Sequence, residues 1–196
     1  MPDPVRRVHA GLVLVLGEPA ALPPRPGEAR WQALDGRPPT WLTTYDVPDV
    51  AAARDHARAV ARATLEVRTY EQLDEHTRAG RPDAERPPLL LTVSVEVPPE
   101  LEDELHRWYV ERHIPLLHRV DGWWRTRRYR LVDGPGPRWL AVHEIAGQHV
   151  FDDPEYAAAV TPDRRDQIMA GVTRRERRLF AAPGRPPAPR DPAKGQ

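Results

Sequence analysis

The 196-residue sequence predicts an α+β fold built from two β-α-β-β-α-β units in one chain, the first lacking its first helix. Three observations carry that expectation. Residues 89–97 alternate strictly, with Leu89, Leu91, Val93, Val95 and Val97 on one face and Leu90, Thr92, Ser94 and Glu96 on the other, the mark of a half-buried strand. A stretch of 18 residues, 30–47, recurs without gaps at 128–145, with Arg, Asp, Gly, Pro, Trp and Leu identical in both copies. Two segments rich in proline and charge, 78–88 and 183–196, divide and end the chain where no helix or strand continues.

The elements follow in order. Residues 12–16 (Leu-Val-Leu-Val-Leu) read as a buried strand, and 19–28 as a proline-rich loop too short for a helix and its connections. Strands are expected at 30–34 and 40–47, a helix at 50–61 and a strand at 65–70. This completes a reduced first unit over 9–77, with 78–88 as linker. The second unit, 89–182, is full length. After the alternating strand, Pro98 and Pro99 open a helix whose first turn carries Glu100, Glu102 and Asp103, where the helix dipole favours anions. Leu101, Leu105 and Trp108 give it an apolar face. A strand at 122–132, a turn at 133–137 and a return strand at 139–145 make a hairpin. A helix at 153–170 and a last strand at 174–180 complete the ferredoxin-like order. Residues 183–196 have almost nothing to bury and are expected to be a disordered tail.

Composition narrows the function. Lys+Arg and Asp+Glu are both 29, a balance that argues against a nucleic-acid partner. Without cysteine there is no disulfide, thiolate-zinc site, iron–sulfur cluster or cysteine nucleophile. Apolar runs are too short to span a bilayer, and the run at 12–16 is a poor signal-peptide core bounded by Gly17 and Glu18. A cytoplasmic protein is expected. No His-Glu-x-x-His motif, carboxylate cluster or glycine-rich phosphate loop occurs, so neither metal nor organic cofactor is expected.

The segment Trp108-Tyr109-Val110-Glu111-Arg112-His113-Ile114-Pro115, followed by Asp121-Gly122-Trp123 and Arg127-Arg128-Tyr129, resembles a pattern of EthD-like proteins. These belong to the dimeric α/β-barrel superfamily, and the resemblance is to their tandem-repeat members. Arg112 stands where that family usually has an acid, and Asp121 where it often has proline. The resemblance implies that the two units form one barrel around a small-molecule cavity. The superfamily includes cofactor-free monooxygenases, polyketide cyclases, decarboxylases, dehydratases and stress proteins, so the resemblance implies no single reaction.

With helices on one sheet face and a barrel cavity on the other, alternation assigns Thr92, Ser94, Trp124, Thr126, Arg128, Arg130, Trp139, Ala141 and His143 to the cavity. The repeat adds Trp41, Thr43, Tyr45, Arg30 and Gln32. His143, a titratable group in an apolar strand, is the expected general base. His113 closes its helix just before Pro115, and it or Tyr45 is the expected acid or oxyanion donor. Arg128 is the expected anchor for a substrate oxygen, with Trp139, Trp124 and Trp41 as aromatic walls and Ser94 as a polar contact. The remaining arginines of the 125–130 run read as a solvated strand face. The expected function is acid–base catalysis on a small apolar oxygenated substrate, as cyclase, dehydratase or decarboxylase. A cofactor-independent monooxygenase and a non-catalytic ligand-binding or stress protein are the alternatives. An uncovered first sheet would favour a homodimer.

Overall fold

The computed structural model describes residues 10–18, 25–61, 65–79, 87–161 and 168–184. The expected loop, linker, second helix and tail therefore fall partly outside the described residues, at 19–24, 80–86, 162–167 and 185–196. Eight strands appear, β1 (Gly11–Leu16), β2 (Glu28–Ala33), β3 (Trp41–Val47), β4 (Glu66–Thr77), β5 (Leu89–Glu96), β6 (Trp123–Asp133), β7 (Trp139–Ile145) and β8 (Arg174–Ala181). The helices are α1 (Val50–Val60), α2 (Pro99–Trp108), α3 (Ile114–Leu117) and α4 (Pro154–Val160). Among the described residues no helix stands between β1 and β2.

Local chemistry explains the boundaries. Asp49 caps α1, its carboxylate accepting from the Ala52 amide at 2.8 Å. Gly11 lets that helix start sit directly on β1, since a Cβ there would lie 2.4 Å from the Asp49 carbonyl. Asp153 caps α4 through the Glu155 amide at 2.8 Å.

The strands close into an antiparallel barrel in the order β1-β3-β2-β8-β5-β7-β6-β4, with β4 returning to β1. Register repeats across it. Glu28 faces Tyr45, Arg30 faces Thr43 and Gln32 faces Trp41 in β2–β3. Thr126 faces His143, Arg128 faces Ala141 and Arg130 faces Trp139 in β6–β7, 98 positions on in every case. The two seams correspond as well, because β2–β8 pairs Gln32 with Ala181 where β6–β4 pairs Arg130 with Glu71.

The barrel interior is packed rather than hollow for most of its length. Leu12, Leu14, Trp31, Leu42, Tyr70, Leu90, Tyr129, Leu140, Val142 and Phe180 converge there. Outside it, α1 covers Val13, Val15 and Tyr45. The longer helical layer of the second half covers Leu89, Leu91, Val95, Ala141 and Ile145.

That arrangement corrects several expected faces. Thr92 and Ser94 do point inward, but Trp139, Ala141 and His143 lie outside the barrel beneath the helices, with Leu140 and Val142 inside. Pairing dictates this: His143 is the cross-strand partner of Leu91, and partners share a face. The apolar alternate residues go inside because the interior is itself a hydrophobic core. In β6 a register shift between Trp123 and Arg125 leaves Trp123 under the helices and turns Tyr129 inward. The arginine run is not a solvated face. Arg127 bonds Asp46 at 2.7 Å, Arg125 pairs with Glu144, and Arg128 leaves the barrel for Asp74. In β3 Tyr45 packs under α1 while Leu42 lies inside, so that expected face is also reversed.

Candidate active site

The site is organised by a break in helical geometry. Between α2 and α3 the chain runs through a π turn, Tyr109–His113, in which the Ile114 amide bonds the Tyr109 carbonyl five residues back. Pro115 explains it: proline cannot donate to a carbonyl four residues back and its ring collides with that group, so the helix widens by one residue rather than stop. The turn carries His113 onto two fixed neighbours. Its ring stacks on Trp108 with centroids 4.3 Å apart and planes at 16°. Its Nδ1 lies 3.1 Å from the Ala159 carbonyl of α4, which only accepts, so Nδ1 holds the proton and Nε2 is the acceptor of the neutral ring.

His143 reaches the same region from β7. It is 2 % exposed, and its Nδ1 lies 3.0 Å from the Thr126 hydroxyl. That hydroxyl accepts from the Trp123 indole Nε1 at 3.3 Å. An indole only donates, so the Thr126 hydrogen is available to His143, and when it is given to Nδ1 the ring's own proton sits on Nε2. In that arrangement the two histidines hold opposite tautomers. Burial holds the His143 imidazole well below its ordinary range, with His113, His118 and Arg177 adding to the effect. His143 is therefore a neutral ring at physiological pH.

Both rings line a cavity of 160 Å³ between the outer sheet face and the helices. Its walls are aromatic (Trp108, Tyr109, Trp123, Tyr156) and aliphatic (Leu91, Val93, Leu117), with Arg175 and Arg177 of β8 at one side. A cavity of about 150 Å³ accommodates benzene, so one aromatic ring fits within this space and a second fused ring would extend through its open side. It offers a proton acceptor, a proton donor and cationic groups around a flat apolar volume.

The other expected site residues lie elsewhere. Tyr45 is fully buried beneath α1, its ring centroid 4.1 Å from that of His56, and burial raises its pKa with Glu28 adding to the effect. Arg128 is held by Asp74, with Nε at 3.0 and 3.1 Å from the two carboxylate oxygens, and its Nη1 lies 3.3 Å from Nδ1 of His106. Burial would raise Asp74, but hydrogen bonds from His76 and Arg128 bring it down to about 2. Arg128 and Trp139 share a small crevice with His106, outside the histidine cavity. Trp41 and Trp124 are half-buried and line none of these spaces. Ser94 faces a separate cavity inside the barrel.

Trp108, Trp123, Tyr156, Arg175 and Arg177 enter the site without a prior expectation, and Thr126, expected to face the barrel cavity, stands beside His143 outside it. The Trp-Tyr-…-His-x-Pro spacing was the signal for Trp108. Alternation put Thr126 on the face of His143, but its bond to the Trp123 indole depends on the register shift in β6. Among the described residues no group of three His, Cys, Asp or Glu side chains could hold a metal ion. None of the described helices is long and apolar enough to cross a membrane.

No protein-family model matches the chain, and no curated protein matches it in sequence. Solved structures do share its fold. An anthrone oxidase-like protein superposes with a TM-score of 0.60 at 11% identity, over 91% of this chain and 94% of the other. A ferredoxin-fold protein from Listeria monocytogenes, related to antibiotic biosynthesis monooxygenases, gives 0.59 at 8%, over 91% and 97%. A monooxygenase-like protein from Listeria innocua gives 0.57 at 8%, over 91% and 96%. At such identities the likeness is one of fold, the ferredoxin-like α/β barrel.

Proposed function

We propose that the protein is a cofactor-free oxygenase acting on a hydroxylated one- or two-ring aromatic compound, with His113 as base and His143 as oxyanion donor. The observation that carries this reading is the convergence of the two histidines, each with its Nδ1 held by a fixed partner, on one aromatic-lined cavity. The oxidase and monooxygenase descriptions of the fold relatives favour oxygen chemistry over cyclisation or dehydration. The roles exchange those expected from sequence. A buried His143 held far below its usual pKa is a weak base, and with its proton on Nε2 it is a donor instead.

For 1-naphthol the steps balance. His113 Nε2 takes the phenolic proton and His143 donates to the resulting oxyanion. Carbon 4 of the naphtholate bonds to dioxygen, and the peroxide oxygen takes a proton from the imidazolium. Loss of the hydrogen on carbon 4 with cleavage of the O–O bond releases water and leaves 1,4-naphthoquinone. One dioxygen is consumed per quinone formed. The protein contributes orientation, a held proton and a donor aimed at the developing charge.

The same reading takes the chain as two ferredoxin-like units, 9–77 and 89–182, joined by 78–88, only the second keeping the cavity. The matching registers support it, since Tyr45 occupies in β3 the position of His143 in β7. In the first unit Tyr45 and His56 fill the corresponding space.

Oxygen uptake with 1-naphthol, followed together with quinone absorbance, tests the proposal. Wild type should consume oxygen and quinone should appear in equal amount. His113→Ala should lower turnover by about 10²–10⁴-fold while the protein stays folded. Turnover of such compounds without oxygen would favour a lyase or cyclase. Saturable binding with no turnover would favour a ligand-binding protein.

A further inference from the structure

A second cavity, of 290 Å³, opens at one end of the barrel interior, on the opposite face of β5 from the two histidines. Leu14, Leu42, Leu140 and Phe180 make its apolar wall. Thr92 and Ser94 reach it from β5, alternating with Leu91, Val93 and Val95, which line the histidine cavity on the other side. One strand therefore separates two spaces of different chemistry.

The hydroxyls differ. Thr92 donates to the Arg178 carbonyl at 3.5 Å. Ser94 is 3 % exposed and lines the cavity, yet among the described residues its hydroxyl makes no hydrogen bond. Its oxygen opens onto the cavity, so whatever fills that space, water or a ligand that displaces it, supplies the partner.

The charges at this end define the occupant. Three arginines stand there, and each is already held by carboxylate. Arg68 bonds Glu66 at 2.5 Å and Glu176 at 2.7 Å. Arg174 bonds Glu176 at 2.5 Å, and Arg178 bonds Asp35 at 2.9 Å and also the Pro39 and Arg37 carbonyls. Three guanidinium groups face three carboxylates, so a charged ligand would enter without a counter-ion of its own and lose its hydration. An apolar body with one oxygen meets no such cost, and that oxygen can bond Ser94.

We infer that the barrel mouth is a second binding site, for an uncharged apolar compound carrying a single carbonyl or hydroxyl group, with Ser94 as its hydrogen-bond partner. The apolar part of its wall is mainly aliphatic where that of the histidine cavity is mainly aromatic, so the two sites select different shapes.

The test compares cyclohexyl methyl ketone with its near-isostere cyclohexanecarboxylate, followed by NMR of methyl-labelled protein. The ketone should saturate shifts at the Leu14, Leu42 and Leu140 methyls and leave Leu91 and Leu117 unmoved. The carboxylate should bind at least tenfold more weakly. Ser94→Ala, which keeps the cavity but removes the hydroxyl, should weaken the ketone about three- to tenfold, the worth of one hydrogen bond. Ser94→Phe should abolish binding by filling the space. Shifts confined to Leu91 and Leu117, equal affinity for the carboxylate, unchanged affinity in Ser94→Ala, or no saturation at all would each overturn the inference. His113→Ala should bind the ketone as wild type does, so a failed oxygenase assay leaves this result standing.

Discussion

Replacing Thr126 by valine removes one hydroxyl and keeps the side-chain volume, in a residue that is fully buried. In the native protein that hydroxyl accepts from Trp123 Nε1 and donates to Nδ1 of His143. Thr126→Val leaves an indole donor and an imidazole acceptor buried, each costing about 1–3 kcal/mol. Partial relaxation toward the cavity offsets some of this, and a net loss of about 2–4 kcal/mol is expected. For a chain of this length each kcal/mol lowers Tm by roughly 2–4 °C, so the midpoint should fall by roughly 5–15 °C. Thr126→Ser, which restores the hydroxyl, should recover most of that loss. The assay is urea denaturation of the three proteins, with the slope checked for constancy so that midpoints convert to free energies. Oxygen uptake should fall more in the valine variant than in the serine variant at equal folded fraction. A valine variant as stable as wild type would refute the chain from Trp123 through Thr126 to His143.

Three further outcomes follow from the same geometry. Burial lowers the pKa of His118 to about 4 and that of His143 well below 6.5, so the unfolded chain binds more protons below pH 6.5. Stability should be fully present above pH 6.5 and fall through the window from 6.5 to 4, with His118 alone accounting for about 3 kcal/mol; equilibrium unfolding against pH measures it, and His118→Phe should flatten the curve. Asp74→Ala should cost about 3–5 kcal/mol by leaving the Arg128 guanidinium buried without its carboxylate, whereas exposed Asp55→Ala should cost under about 1 kcal/mol. Pro115→Ala should let the π turn relax toward α-helix and move His113 away from the Ala159 carbonyl, lowering turnover more than stability.

Much of the architecture was legible because it rests on short-range patterns. Strict alternation marked β5, Pro98 and Pro99 marked the start of α2, and the Trp-Leu pair shared by residues 41–42 and 139–140 located β3 and β7. Faces were harder. Alternation separates two sets of residues without saying which is inside, and in a barrel both sides of the sheet are buried. Assigning Trp139, Ala141 and His143 to the cavity puts Leu140 and Val142 under the helices, whereas they belong to the interior. Pairing resolves this, since Leu91 and His143 are partners, but the partner is known only once strands are aligned in space. The two histidines were legible as residues, one from its spacing to Trp108 and Pro115, the other as a polar residue in an apolar strand. Their meeting outside the barrel was not. The π turn needs its Pro115 seen within a continuing helix, and the role of Thr126 needs the register shift after Trp123.

The central claim is that two histidines of opposite tautomer present their Nε2 atoms to one cavity, and long-range ¹H–¹⁵N NMR of the imidazole side chains reads it directly. At neutral pH the account predicts His113 with its proton on Nδ1 and His143 with its proton on Nε2, both perturbed when 1-naphthol is added. The same tautomer on both rings, a protonated His143, or rings unmoved by the aromatic compound would contradict it.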